Sequence, residues 1–248
     1  MAFNQKEYMR EYRKSYSPLH RKNNPEMYKI YDKKRYYDLK EKAFHLLGNK
    51  CSFCLETETE FLTMDHINND GHSDKRSRRQ LYKFIINNPD QLSLRLLCRN
   101  CNSGSFNKLV HNKDSVSKHE FTDVICDKCG SFKIRRHSKH PKYGTRKRID
   151  CLTCNKNNHL SLKLNAFSTL GSVCACCGEN EHNKLTIDHV NEDGFVDRST
   201  MSYSTKAFYG KIVNKKLDLS RYQILCWNCN FSKHLGKGIC THFRKEEQ

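Results

Sequence analysis

Residues 43–71 read AFHLLGNKCSFCLETETEFLTMDHINNDG, and residues 166–194 read AFSTLGSVCACCGENEHNKLTIDHVNEDG. Each copy closes with a second cysteine pair that runs into asparagine, LLCRNCN at 96–102 and ILCWNCN at 224–230. Self-similarity at a fixed offset sets the architecture before any local prediction. Among the residues kept in both copies are cysteine, aspartate, histidine, asparagine and glycine, the types that carry chemistry and tight turns. Between its aspartate and its second cysteine pair the second copy carries five extra residues, in a loop and helix region where insertions are tolerated.

Working outward from the repeat, twelve of the 14 cysteines fall into six CxxC pairs: 51/54, 98/101, 126/129, 151/154, 174/177 and 226/229. Cys176 and Cys240 are left over. Disulfides in a secreted protein are one reading of so many cysteines. The N-terminal run MAFNQKEYMREYRKSYS, however, has no apolar core of the kind a signal peptide carries. No apolar run approaches membrane-spanning length either. Paired CxxC at these spacings is a zinc pattern, which implies a reducing compartment, the cytoplasm or the nucleus. Zinc also answers a stability problem, because only 36% of the residues are hydrophobic and small thin cores need another tie. Three structural zinc ions are expected, on Cys51, Cys54, Cys98 and Cys101, on Cys126, Cys129, Cys151 and Cys154, and on Cys174, Cys177, Cys226 and Cys229. Cys176 could replace a neighbour as ligand, but 174/177 matches the register of the first copy; Cys240 has no assigned role.

The formal net charge is +18, from 45 Lys+Arg against 27 Asp+Glu. Such a surface attracts polyanions, nucleic acid foremost, with DNA ahead of RNA; a merely soluble basic surface is the plainer reading. The chain divides into a basic helical arm (1–42), a first module (43–112), a linker (113–125), a cysteine unit (126–154), a second module (160–242) and a charged tail. In the arm, Tyr8, Tyr12 and Tyr16 fall on one helix face, and Glu26–Leu47 reads as a second helix, with Pro18 and Pro25 as breaks. The arm is expected to lie on DNA. Residues 126–154 resemble a zinc ribbon, whose four thiolates leave no open position for chemistry. Lys133, Arg135, Arg136, Arg146, Lys147 and Arg148 are its candidate phosphate contacts, against the plainer reading of a spacer.

Within each module the pattern predicts a helix ending at Gly48, a short strand at Leu62–Met64, a polar loop, a helix with Tyr82, Ile85 and Ile86, and a last helix from about Asn102. Four cysteines suffice for a structural zinc, so the strand-end pair Asp65-His66 and the trailing Asn102 are surplus to the fold. So are Asp188, His189 and Asn230. Hard oxygen donors suit Mg²⁺ or a similar cation. A neutral imidazole beside them suits proton abstraction from water.

The order CxxC, DH, LCxNCN resembles the HNH (ββα-metal, His-Me finger) nucleases, best the small phage endonuclease VII-like type. The resemblance covers roughly 43–112 and 166–235 and leaves the ribbon out. It implies an α+β fold of two treble-clef ββα-metal modules flanking the ribbon. It also implies a metal-dependent DNA endonuclease or nickase in the cytoplasm of a host cell. Asp65 with Asn102, and Asp188 with Asn230, would hold a catalytic Mg²⁺ or Mn²⁺, and His66 and His189 would be the general bases. Two such sites in one chain could cut both strands as a fused pseudo-dimer. Asn87 and Asn214 match the family's middle asparagine by position. His72 faces Phe195 in the alignment of the copies, which puts the second site in doubt. Arg76, Arg78 and Arg79 either hold phosphates or form a solvated helix face. The competing functions are a zinc protein that holds nucleic acid without cutting it, and a transcription- or ribosome-associated zinc protein.

Overall fold

The computed structural model describes residues 9–10, 12, 18–91, 93–103, 120–140, 144–200 and 204–244. The described chain is a mixed α+β protein with small sheets. Its elements in order are α1 (Pro25–Leu46), β1 (Leu62–His66), α2 (Arg78–Asn87), β2 (Leu94–Cys98), α3 (Arg99–Asn102), β3 (Glu120–Ile125), β4 (Phe132–His140) and β5 (Gly144–Asp150). There follow α4 (Leu152–Thr169), β6 (Leu185–His189), α5 (Gly194–Thr200), α6 (Thr205–Val213), β7 (Tyr222–Cys226), α7 (Trp227–Leu235) and α8 (Thr241–Arg244). Two compact units result, one drawn from residues 1–50 and 64–96, the other from 51–63 and 97–248.

In the first unit, α1 starts with Pro25, where a missing N–H costs no helical hydrogen bond. It is followed by Gly48 at φ 87°, a left-handed conformation that glycine adopts without strain. Residues 18–23 are also helical, and Asn24 separates them from α1. Tyr8 and Tyr16 of the tyrosine stripe lie outside the described residues, and Tyr12 is exposed. Tyr36 and Phe44 of α1 meet Tyr82 of α2 edge-on, with ring centroids 5.5 and 6.2 Å apart. This half of the arm therefore has its own packing partner: Ala43, Phe44, Leu81, Tyr82 and Ile85 are buried together. A capping box between Ser77 and Gln80 starts α2.

The second unit repeats the plan. Ala166 and Phe167 of α4 are buried as Ala43 and Phe44 are, and Gly171 stands at φ 108°. β6 and β7 pair antiparallel, Asp188 opposite Gln223 and His189 opposite Tyr222. Four extra residues fall between Asp197 and the helix cap Ser204, since the corresponding cap Ser77 follows Asp74 by three residues and Ser204 follows Asp197 by seven. The last helix begins immediately after Cys98 or Cys226, earlier than the residue near Asn102 read from sequence. The reason is capping: the Sγ of Cys98 accepts from Cys101 N–H, and that of Cys226 from Cys229 N–H, both at 3.4 Å.

Two further corrections concern the middle of the chain. The segment read as a linker, 113–125, ends in a strand: β3 pairs antiparallel with β4, Phe121 opposite Ile134. Its residues are nearly all exposed, so no buried face marked it in the sequence. The second ribbon pair, Cys151 and Cys154, forms the first turn of α4, which runs on unbroken to Thr169.

Candidate functional site

The cysteines gather as the spacing requires. Cys51, Cys54, Cys98 and Cys101 bring their sulfurs within 4.8 Å of one another, as do Cys126, Cys129, Cys151 and Cys154, and Cys174, Cys177, Cys226 and Cys229. All are free thiols. The sulfur separations are 3.6 Å for Cys54–Cys98, 3.3 Å for Cys129–Cys151, 3.6 Å for Cys126–Cys154 and 3.8 Å for Cys177–Cys226. Zinc–sulfur bonds of about 2.3 Å in a tetrahedron place sulfurs about 3.8 Å apart, so the donor sets fit zinc. Crowding splits the thiols. Cys51 is held far below the ordinary thiol range by hydrogen bonds from Cys101 and Cys98, and Cys101 is pushed far above it by Cys51. In the ribbon, Ser131 and the neighbouring thiols hold Cys129 at about 6, and Cys129 pushes Cys154 up to about 12.

At the strand ends the two copies share an arrangement that reaches past the quoted repeat. His66 Nε2 lies 3.0 Å from Asp74 Oδ2, and His189 Nε2 lies 2.8 Å from Asp197 Oδ2. Arg76 grips Asp74 through Nε and Nη2 at 2.9 and 2.8 Å, which holds its carboxyl well below the usual carboxylate range. Burial works against ionisation of Asp197, but hydrogen bonds from Tyr222 (2.6 Å), His189 and Arg221 (3.0 Å) outweigh it and bring the carboxyl down to about 2. Both aspartates are therefore acceptors only. In the neutral ring Nε2 must carry the proton, and the lone pair is left on Nδ1. Nδ1 lies against the loop glycine that both copies carry: a Cβ built on Gly71 or on Gly194 would lie 2.8 Å from it. This close approach explains why both copies read Asp-Gly there.

Asp74 and Asp197 lie beyond the quoted repeat, which ends at Gly71 and Gly194. Three residues further on the signal continues, as DGHSD against DGFVD, each aspartate eight residues after its histidine. His72 and Phe195, between them, are both exposed.

The neighbouring aspartates are occupied by protein cations. Asp65 Oδ2 accepts from Arg95 Nε at 2.9 Å. Asp188 Oδ2 accepts from Gln223 Nε2 at 2.8 Å and from Lys233 Nζ at 2.7 Å. The same ammonium donates to the carbonyls of His189 and Val190, at 2.7 and 2.9 Å, and the lysine side chain is only 8% exposed. All three ammonium donors are thus satisfied in a cage at the end of β6. A hard divalent cation at Asp188 would have to evict a buried, fully bonded lysine, so the second copy does not fit one. At Asp65 it would compete with the Arg95 guanidinium.

The remaining expected residues are scattered more widely. Asn102 closes α3 and is half-buried, while Asn230 lines a cleft with Arg99, Trp227, Phe231 and His234. Asp188 and Asn230 thus face different neighbours. Asn214 is a helix cap, its amide donating to Gly210 O at 2.7 Å; the residue with that role in the first copy is Asn88, donating to Phe84 O at 2.8 Å, and not Asn87. Arg76 also stacks on Phe84, 3.9 Å from its centroid, and Arg79 donates to the Asp32 carbonyl at 3.1 Å, whereas Arg78 is exposed. In the ribbon Lys133 is half-buried, Lys147 is exposed, Arg135 pairs with Glu120 at 3.1 Å, and Arg148 pairs with Asp150 at 2.8 Å. Arg136 stands opposite Arg148 and Arg146 opposite Ser138 along the ladder; the side chains of Arg136 and Arg146 lie outside the described ones. Among the described residues no helix is long and apolar enough to cross a membrane.

No family model matches the chain, and none of the curated proteins or solved structures compared with it matches either.

Proposed function

We propose that the protein is a nucleic-acid endonuclease of the HNH type, acting on DNA, in which the first copy does the chemistry and the second has become structural. The observation that carries this reading is the His66–Asp74 pair, set beside Asp65 at the end of one short strand. Asp74 fixes the tautomer and Arg76 fixes Asp74, so the Nδ1 lone pair of His66 is held ready to take a proton from water. Asp65 supplies the hard oxygen donor for a Mg²⁺ or Mn²⁺ ion, which would supply Lewis-acid and charge-neutralising chemistry when bound. The treble-clef reading of the modules belongs to the same proposal, since it rests on the knuckle, strand and helix order. The second copy keeps the imidazole but has a lysine in the cation's place, which separates the roles of the copies.

Relaxation of supercoiled plasmid in Mg²⁺ or Mn²⁺ tests the reading. Wild type and His189→Ala should cleave; His66→Ala should not, while retaining salt-dependent DNA binding. Cleavage that persists in His66→Ala overturns it.

The ion pairs of Asp65 with Arg95 and of Asp188 with Lys233 favour a second reading, a zinc protein that holds nucleic acid without cutting it. Wild-type protein that binds duplex DNA or RNA but cleaves neither, with any divalent ion, would establish that reading in place of the first.

A further inference from the structure

Cys176 and Cys240 stand outside the six CxxC pairs, and nothing in the repeat requires them. In the structure both converge on His242. Cys176 Sγ lies 3.4 Å from His242 Nδ1, Cys229 Sγ 3.5 Å and Cys240 Sγ 3.6 Å. The four donor atoms all lie within 4.8 Å of one another. Zinc–sulfur bonds of about 2.3 Å and zinc–nitrogen bonds of about 2.0 Å in a tetrahedron place sulfur and nitrogen about 3.5 Å apart. The observed separations match that spacing on all three edges. Cys229 belongs to this group and to the group of Cys174, Cys177 and Cys226.

We propose that the second module holds a two-zinc cluster, in which the Cys229 thiolate bridges the Cys174/Cys177/Cys226 ion and a second ion bound by Cys176, Cys240 and His242. The charges support two ions. Adding the second brings one dication and two further thiolates, Cys176 and Cys240, so the net charge equals that of a single zinc on four thiolates.

The backbone is shaped for this closure. After α7 the chain turns back sharply through Gly236, where a Cβ would lie 2.1 Å from the Ile239 carbonyl and 2.9 Å from the Arg244 guanidinium. Lys237 and Gly238 follow at φ 53° and 96°. This turn brings Cys240, 5% exposed, back over Cys229, and Thr241 N–H is fastened to Ser232 Oγ at 2.9 Å. The first copy has Phe53 in the place of Cys176, so the second ion is peculiar to the second module. The ion also has a structural consequence. His242 packs edge-on against Phe61, centroids 5.2 Å apart, and Arg244 pairs with Glu60 at 2.5 Å. Metal at His242 would lock the C-terminal helix α8 and, through it, the segment 51–63 that carries the first zinc knuckle. None of this depends on the nuclease reading.

Native mass spectrometry of the full chain, purified reduced with zinc, should count four zinc ions. Cys176→Ser, Cys240→Ser and His242→Ala should each count three. A wild-type count of three, or variants that keep the wild-type count, overturns the proposal. Cadmium-113 NMR of the wild-type chain provides the check that needs no variant. Two cadmium resonances coupled to each other through a shared thiolate are expected, and spectra without a coupled pair overturn the bridge.

Discussion

Asn100 and Asn228 hold each other reciprocally: the N–H of Asn100 donates to Asn228 Oδ1 at 2.9 Å, and the N–H of Asn228 donates to Asn100 Oδ1 at 3.0 Å. The two are the same residue of the repeated CxNCN motif, so the copies meet through a self-complementary contact of the kind a two-fold dimer uses. Both asparagines are nearly fully buried, which excludes water from the exchange. The middle asparagine of CxNCN is thus a pairing device between the cysteine knuckles of 97–103 and of the second module.

Asn100→Ala leaves the Asn228 N–H buried without its acceptor, and Asn228→Ala does the same to Asn100. Each should destabilise the zinc-loaded protein by about 1–3 kcal/mol, the cost of an unsatisfied buried donor. Thermal unfolding at fixed zinc measures it. Asn→Asp at either position keeps the acceptor and should lose less than Asn→Ala; equal losses would contradict the exchange.

Asp74→Asn should lower plasmid cleavage by about 10²–10⁴-fold without changing DNA affinity, because the histidine loses the acceptor that fixes its tautomer. Asp197→Asn should leave cleavage within a few-fold of wild type. Initial rates at saturating DNA separate the two cases. A large effect of Asp197→Asn would return the second copy to catalysis.

Gly71→Ala sets a methyl group 2.8 Å from His66 Nδ1, and one of the two must move. Cleavage should fall at least as far as in Asp74→Asn while the zinc count stays unchanged. Gly194→Ala makes the same clash with His189 and should leave cleavage unchanged. A fully active Gly71→Ala would mean that the imidazole position does not matter.

Lys233→Ala leaves Asp188 in a nearly closed cage without its cation, and breaking a buried pair from one side costs about 3–5 kcal/mol. Asp188→Asn combined with Lys233→Met removes both charges and should recover much of that loss. Denaturant midpoints for wild type, the single variant and the pair decide it. A Lys233→Ala protein as stable as wild type would show that the ammonium is not the resident cation of this site.

Much of the scaffold was legible in the sequence because it rests on local chemistry. Cysteines two residues apart bring two thiols to one turn, and duplication shows which pairs belong to one module. The strands ending in Asp-His, the helices carrying Tyr82 and Tyr209, and the place of the five extra residues follow from the same comparison. β3 was not legible, since a strand exposed along most of its length carries no burial pattern. Asp74 and Asp197 are written in the sequence at one spacing, three residues past the glycine of each copy.

The sequence by itself determined the duplication, the three four-cysteine groups and the histidine–aspartate spacing, because CxxC pairs and their repetition are legible from residue identity and order alone. Tertiary structure decided which groups meet from afar. It brought Lys233 to Asp188 across 45 residues and Asn100 to Asn228 across 128. It also brought His242 to Cys176 across 66. Such meetings follow from the angle of a turn and the packing of a helix on a strand, which composition and spacing do not encode. On them depend the inequality of the two copies and the fourth cluster of metal donors.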